Sequence, residues 1–322
     1  MIVLCFEASH GRGLGHLLRM LRLGRALRAS GGEAVMVCND DPAAKALVHA
    51  TGFPVWHAPL DQVATGWEVP LLEQLGEVKT WVNDRLRTIR AHTETLRAKG
   101  ILVATVDDSG DGADGCDYHV IPLFSGGTRR KGQRILEGWE WAFFPADEIL
   151  EARTRPHAHR TSGPAIGVSL GGSDTHATII PVLQRLVGKG REVHVCLGPA
   201  FGADRKLGAW AGDPRVQWHR EVPSLVRWLS EFDLAVTGGG MTALESAACG
   251  TPPCVVANEV HEVATALRLE RDGLGTFWGS HSDLPDLPSA AFADLPLKSS
   301  RGRALRVDGA ERFASILLGR SP

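Results

Sequence analysis

The chain has 322 residues, 43% of them hydrophobic, with a formal net charge of −2 and a pI near 6.7. That is too long for one small core and suits two α/β domains of about 150 residues each. The balanced charge leaves no basic footprint for nucleic acid or an acidic membrane, no second cysteine pair joins Cys249 and Cys254 to make a zinc set, and no apolar stretch reaches the length of a bilayer span. The expectation is a cytoplasmic protein with no signal peptide, no integral membrane segment, and no metal or other cofactor.

Ile2 to Phe6 reads as a buried strand that runs into Gly13-Leu14-Gly15-His16 and then into an amphipathic helix carrying Leu17, Met20, Leu21, Leu23 and Leu27. A glycine loop between strand and helix lets a ligand approach bare backbone. The first helical turn adds unpaired N–H groups and the positive end of the dipole. Gly13 and Gly15 are therefore expected to line a substrate site in which His16 stands. The last glycine of the G-x-G-x-x-G fingerprint is absent, which weakens a nicotinamide reading that Asp40 after the second strand would otherwise suit.

Glu33 to Cys38 and Pro54 to Trp56 read as the next strands, separated by a helix that Asn39-Asp40-Asp41 caps, so the half begins as βαβαβ. The stretch from about Leu71 to Ala98 reads as a long, broken helical region, followed by a strand from Ile101 to Val106. That strand ends in Asp107-Asp108-Ser109-Gly110, at the edge where open α/β sheets bind ligands. Asp107 and Asp108 are candidates for substrate contact, weighed against a solvated turn. From about Pro145 to Gly163 the pattern lapses, and His157 and His159 fit an exposed linker better than a metal pair. The domains expected are residues 1–150 and 151–322, with the option that the last helix crosses back to the first.

The second half repeats the outline. Strand Ala165 to Leu170 meets the turn Gly171-Gly172-Ser173-Asp174, helix Ala177 to Val187 follows, and strands are expected at Glu192 to Leu197, Arg215 to His219 and Leu234 to Thr237. The last delivers Gly238-Gly239-Gly240-Met241-Thr242 into a helix, so that a diphosphate can rest on the amides of Met241 and Thr242 behind Gly239 and Gly240. Glu245, about one turn inside, could accept bonds from both ribose hydroxyls, and Gly172 and Ser173 could add donors to the phosphates. A strand from Pro253 to Ala257 leads to a polar helix start at Asn258, and a closing helix is expected from about Arg303 to Leu318.

Taken together, Gly13-Leu14-Gly15-His16 with Arg19, the Gly171 to Asp174 turn, and Gly239 to Glu245 with Gly250-Thr251-Pro252 resemble the PseG/SpsG-type nucleotide-sugar proteins, GT-B folded relatives of MurG. The resemblance spans most of the chain. It implies an α/β fold of the GT-B class, two Rossmann-like domains whose parallel sheets face a central cleft, holding a UDP-sugar with its nucleotide on the second domain. It also implies that His16 matches the catalytic histidine, Glu245 the nucleotide-binding glutamate and Asn258 a polar position near the ligand, with Arg19 on the substrate side. In one departure, the family's hydrolase carries a tyrosine in the loop where this chain has Asp107-Asp108-Ser109, and the sole tyrosine here is Tyr118.

The leading expectation is a PseG-like hydrolase that releases an amino or deoxy sugar from UDP in pseudaminic acid-type or surface glycan synthesis, with His16 activating water. The alternative is a GT-B glycosyltransferase in which His16 deprotonates an acceptor hydroxyl. A third reading, from another class, is a non-catalytic nucleotide-sugar-binding subunit.

Overall fold

The structure, a computed structural model, describes the chain except residues 9–14, 61–65, 124–131, 156–163, 172–173, 175, 188–190, 199–200, 202–206, 221 and 322. The expected site residues Gly13, Gly172 and Ser173, and the pair His157 and His159, lie outside the described residues. Two compact units emerge. One is Met1–Leu123 and Gly127–Phe144 with Arg306–Pro322, and the other is built on Pro145–Leu305.

The first unit runs β1 (Ile2–Phe6), α1 (Gly15–Ala29), β2 (Ala34–Cys38), α2 (Pro42–Ala50), β3 (Val55–His57), α3 (Glu68–Leu75), β4 (Thr80–Asp84), α4 (Arg90–Ala98), β5 (Leu102–Val106), β6 (Tyr118–Ile121) and β7 (Arg134–Glu137). Its strands form a parallel sheet in the order β3-β2-β1-β4-β5-β6-β7. Helices cover both faces, so β1 and β2 are apolar throughout instead of alternating. Leu4, Phe6 and Val82 join Leu17, Met20 and Leu23 of α1 in one core, while Val3, Cys5 and Trp81 join Leu72 and Leu96 in the other. A Cβ at Gly24 would lie 2.7 Å from Met36 Cε, so α1 gains its close approach to the sheet there. That is the role the dinucleotide fingerprint gives to a glycine one turn or more earlier.

One expectation needs correcting. The region from Leu71 to Ala98 is not a broken helix, because β4 lies inside it, between β1 and β5. Gly76, at φ 78°, stops α3, and Thr80-Trp81-Val82 supplies the β-branched and aromatic residues of a buried strand. The strand's polar end, Asn83-Asp84, is what disguises it.

The second unit runs α5 (Ala146–Thr154), β8 (Ile166–Ser169), α6 (Ile179–Val187), β9 (Val193–Leu197), β10 (Val216–Arg220), α7 (Leu225–Leu229), β11 (Leu234–Thr237), α8 (Met241–Cys249), β12 (Pro253–Ala257), α9 (Val260–Arg271), β13 (Thr276–Ser280) and α10 (Leu295–Arg303). Again the sheet is parallel, in the order β10-β9-β8-β11-β12-β13. The closing helix expected from about Arg303 to Leu318 is α11 (Gly309–Leu317), which starts six residues later than expected, after α10, and packs on α1 through the core that holds Phe313 and Leu317. Among the described residues, no helix is long and apolar enough to cross a membrane. All six cysteines are free and buried.

Candidate functional site

In the first unit the carboxyl ends of β1, β4 and β5 meet the start of α1. His16 lies in the first turn of that helix, and its Nδ1 is 2.7 Å from Oδ1 of Asp84, the last residue of β4. Parallel register sets Asp84 beside Phe6, the last residue of β1. The carboxylate is fully buried while the imidazole side chain is 17% exposed. Nδ1 faces two groups, the Asp84 carboxylate at 2.7 Å and the Arg19 Nη2 donor at 3.1 Å; the shorter contact assigns the proton to Nδ1 and the lone pair to Nε2, which has no hydrogen-bond partner among the described residues.

Arg19, one turn further along α1, completes the arrangement. Its Nε and Nη2 donate to Asp84 at 2.9 and 2.5 Å, and its Nη1 donates to Asp107 Oδ2 at 2.5 Å. Asp107 follows β5 in the left-handed region at φ 46°, and its other oxygen accepts from the Leu123 amide at 3.2 Å. Burial pushes Asp84 up, but Arg19 and His16 outweigh it and hold the carboxyl below its usual range. At Asp107 burial dominates and the neighbouring Asp84 adds to it, so that the carboxyl is pushed up to about 6 in spite of Arg19. Burial works against the charge on Arg19, and the two carboxylates more than restore it.

Three sequence expectations change here. Arg19 and Asp107, expected to face substrate, are 3% and 5% exposed and are spent on each other and on Asp84. Asp108 is fully buried. Its carboxylate accepts from the amides of Thr88 and Gly110 and from the Thr105 hydroxyl, so its oxygens are engaged in organising the loop. The glycines of that loop serve packing as well, since a Cβ at Gly110 would lie 2.1 Å from the Thr88 carbonyl. Gly15 remains at the open start of α1, with nothing within 4 Å of a Cβ built on it. Asp84 was missed with its strand.

The second unit gathers most of its expected residues at one sheet edge. Gly238-Gly239-Gly240 follows β11 and caps α8, whose first residues Met241 and Thr242 are half-buried. Gly239 is required by packing, because a Cβ would stand 2.6 Å from Glu262 Cβ on α9. Glu245, one turn into α8, is 6% exposed. Asn258 is tied to the frame. It accepts from the Thr178 hydroxyl at 3.0 Å, its own amide N–H reaches Glu262 Oε2 at 2.7 Å, and a Cβ at Gly238 would come within 3.0 Å of its Nδ2. The loops after β8, β11 and β12 are thus locked together around the start of α8. The Asp174 carboxylate accepts from the Thr178 amide at 2.7 Å, with Asp174 and Ala177 both at positive φ.

Sequence reasoning also missed a histidine pair on this edge. The rings of His176 and His281 stack 3.9 Å apart, and His176 Nε2 stands 3.2 Å from Glu259 Oε1. No local signal linked residues from three separate loops. Among the described residues, no group of three or more His, Cys, Asp or Glu is arranged to hold a metal ion.

No protein-family model and no curated protein matches the sequence. Solved structures do resemble the fold. MurG of Acinetobacter baumannii superposes with a TM-score of 0.68 at 13% identity, over 99% of both chains. The spinosyn rhamnosyltransferase SpnG complexed with thymidine diphosphate gives 0.66 at 15% identity, over 98% of this chain and 100% of that one. The glycosyltransferase SnogD from Streptomyces nogalater gives 0.64 at 15% identity, over 99% of both. The two parallel sheets and these likenesses along nearly the whole chain show that the protein has the GT-B class of α/β fold, with two Rossmann-like domains.

Proposed function

We propose that the protein is a nucleotide-sugar-dependent glycosyltransferase whose general base is His16. The observation that carries the reading is the His16–Asp84 pair. A neutral imidazole with its Nδ1–H on a buried carboxylate offers Nε2 as the base, and the same carboxylate stabilises the imidazolium that forms. An acceptor hydroxyl oxygen bonds to the anomeric carbon of the donor while the bond from that carbon to the β-phosphate oxygen breaks. The hydroxyl proton passes to Nε2 and the nucleoside diphosphate leaves with the electron pair. Such a single displacement inverts the anomeric centre.

The second domain's part in the proposal is to hold the leaving group. First-turn amides at Met241 and Thr242 receive the diphosphate behind Gly239 and Gly240, and Glu245 accepts the ribose hydroxyls. No cofactor enters this scheme, and turnover is expected to survive chelation. Transfer is favoured over hydrolysis by two fold neighbours that are themselves named as a rhamnosyltransferase and a glycosyltransferase. It is also favoured by Tyr118, which is 9% exposed, stacks edge-on against Phe313 and receives a bond from Arg134, so it does not replace the tyrosine of the hydrolase loop.

A panel of UDP- and TDP-linked sugars, incubated with and without acceptor alcohols while diphosphate release is followed, tests the reading. Release that requires an acceptor supports transfer. Release into water alone identifies the PseG-like hydrolase, and tight binding with neither identifies a nucleotide-sugar-binding subunit.

A further inference from the structure

The first-unit cluster contains one guanidinium, two carboxylates and one imidazole, all within hydrogen-bond distance of at least one other member. With both carboxylates ionised and His16 neutral, the cluster carries one uncompensated negative charge in a buried setting. Water cannot screen it, since Arg19, Asp84 and Asp107 are 3%, 0% and 5% exposed. We propose that Asp107 is a positioning residue for the base, dividing Arg19 with Asp84 so that the cluster reaches electrical balance only when His16 holds the proton taken from the nucleophile.

Resting on the reading of His16 as a general base, this adds what drives its proton uptake. An Arg19 devoted wholly to Asp84 would neutralise the carboxylate that must stabilise the imidazolium. Asp84 takes the Nε and Nη2 edge of the guanidinium and Asp107 takes Nη1, so the two carboxylates share one positive charge and Asp84 is not fully neutralised. The backbone invests in this placement: Asp107 sits at φ 46° and its second oxygen is fixed by the Leu123 amide. Burial that pushes Asp107 up to about 6 agrees with an excess of negative charge around one cation. Among the described residues, Glu7 after β1 and Arg85 after β4 pair with each other at 3.0 Å, and the Asp108 carboxylate beside Asp107 accepts from the Thr88 and Gly110 amides and the Thr105 hydroxyl.

The charge count makes opposite predictions for two substitutions, which a merely structural role would not. Nitrogen-15 NMR of the full-length protein, following His16 across pH without substrate, reads them. Asp107→Asn should make His16 bind its proton about tenfold less tightly, and Arg19→Gln about tenfold more tightly. In assays, Asp107→Asn should lower kcat about tenfold with KM for the donor unchanged. Where a variant does not fold, the unaltered protein gives the answer. The Asp107 carboxyl carbon should report the same protonation steps as the His16 ring, because coupled sites titrate as a group. Shifts of the same sign in both variants, no shift in either, or independent titration of Asp107 and His16 in the unaltered protein would overturn the proposal. Opposite shifts in a protein that turns over no nucleotide sugar would support the charge balance of the cluster and overturn the reading of His16 as a base.

Discussion

Strand β4 ends between two imidazole–carboxylate pairs that have similar chemistry and opposite settings. On the face shared with α1, His16 meets Asp84 at 2.7 Å with its ring 17% exposed. On the other face, His92 of α4 meets Glu68 of α3 at 2.6 Å with both side chains 1% exposed. The second ring is closed on every side: Nε2 lies 3.1 Å from Asn83 Oδ1, Trp67 stacks at 5.4 Å and Trp81 abuts edge-on at 5.6 Å. Burial holds His92 below its ordinary value, and Glu68, although burial raises it, is kept low by His92 and backbone amides. Of the two rings, only that of His16 is open to solvent and keeps a nitrogen with no partner among the described residues, so the contact alone does not make a base.

The contrast breaks if the sealed pair contributes to turnover or the open one chiefly to stability. His16→Ala is expected to reduce kcat by roughly 10²- to 10⁴-fold while donor affinity stays within about twofold. His92→Ala should leave kcat per folded molecule unchanged and lower unfolding free energy by about 3 kcal/mol, as measured by urea denaturation. Asp84→Asn releases the Nδ1–H tautomer and should cost about 10²-fold in kcat, against about 1–3 kcal/mol of stability and no activity for Glu68→Gln.

Binding and chemistry can be separated as well. Glu245→Ala should weaken UDP or TDP binding by about tenfold in calorimetry, with the His16 ring unaffected, through the loss of charge-assisted bonds to ribose. Unchanged affinity would remove Glu245 from the nucleotide site.

The last expected effect is on stability against pH. Asp107, pushed up to about 6, holds its proton in the folded state at pH values where the unfolded carboxyl, near 3.8, has lost it. Folding is therefore favoured as pH falls from 7 through 6 towards 4, by at most about 3 kcal/mol. Asp84 is depressed, so its contribution is present above the unfolded value and is lost only as pH drops below about 4. Melting curves of the unaltered protein should shift upward between pH 7 and pH 5. In Asp107→Asn that gain should be absent.

Local signals carried the strand, glycine loop and helix units at Gly15 and at Gly239 to Met241, because turn chemistry and helical periodicity are short-range properties. Long-range pairing was illegible. Arg19 meets Asp84 and Asp107 across 65 and 88 residues, and nothing near Arg19 announces that its guanidinium will be filled. Asp84 itself was within reach. Gly76 followed by Thr80-Trp81-Val82 and an acidic residue parallels the Gly100 to Asp107 run that was read correctly as a strand with an acidic end. The glycines of the Asp107 loop misled for a different reason: they make room for the Thr88–Ile89 backbone, a packing demand that resembles a ligand loop in sequence.

The most direct test of His16 as the base is chemical rescue. A His16→Gly variant should bind donor normally, turn over at no more than about a hundredth of the wild-type rate, and recover in proportion to added free imidazole, which supplies the missing nitrogen in solution. Wild-type turnover by that variant without imidazole, or normal donor binding with no recovery at any imidazole concentration, would contradict the account.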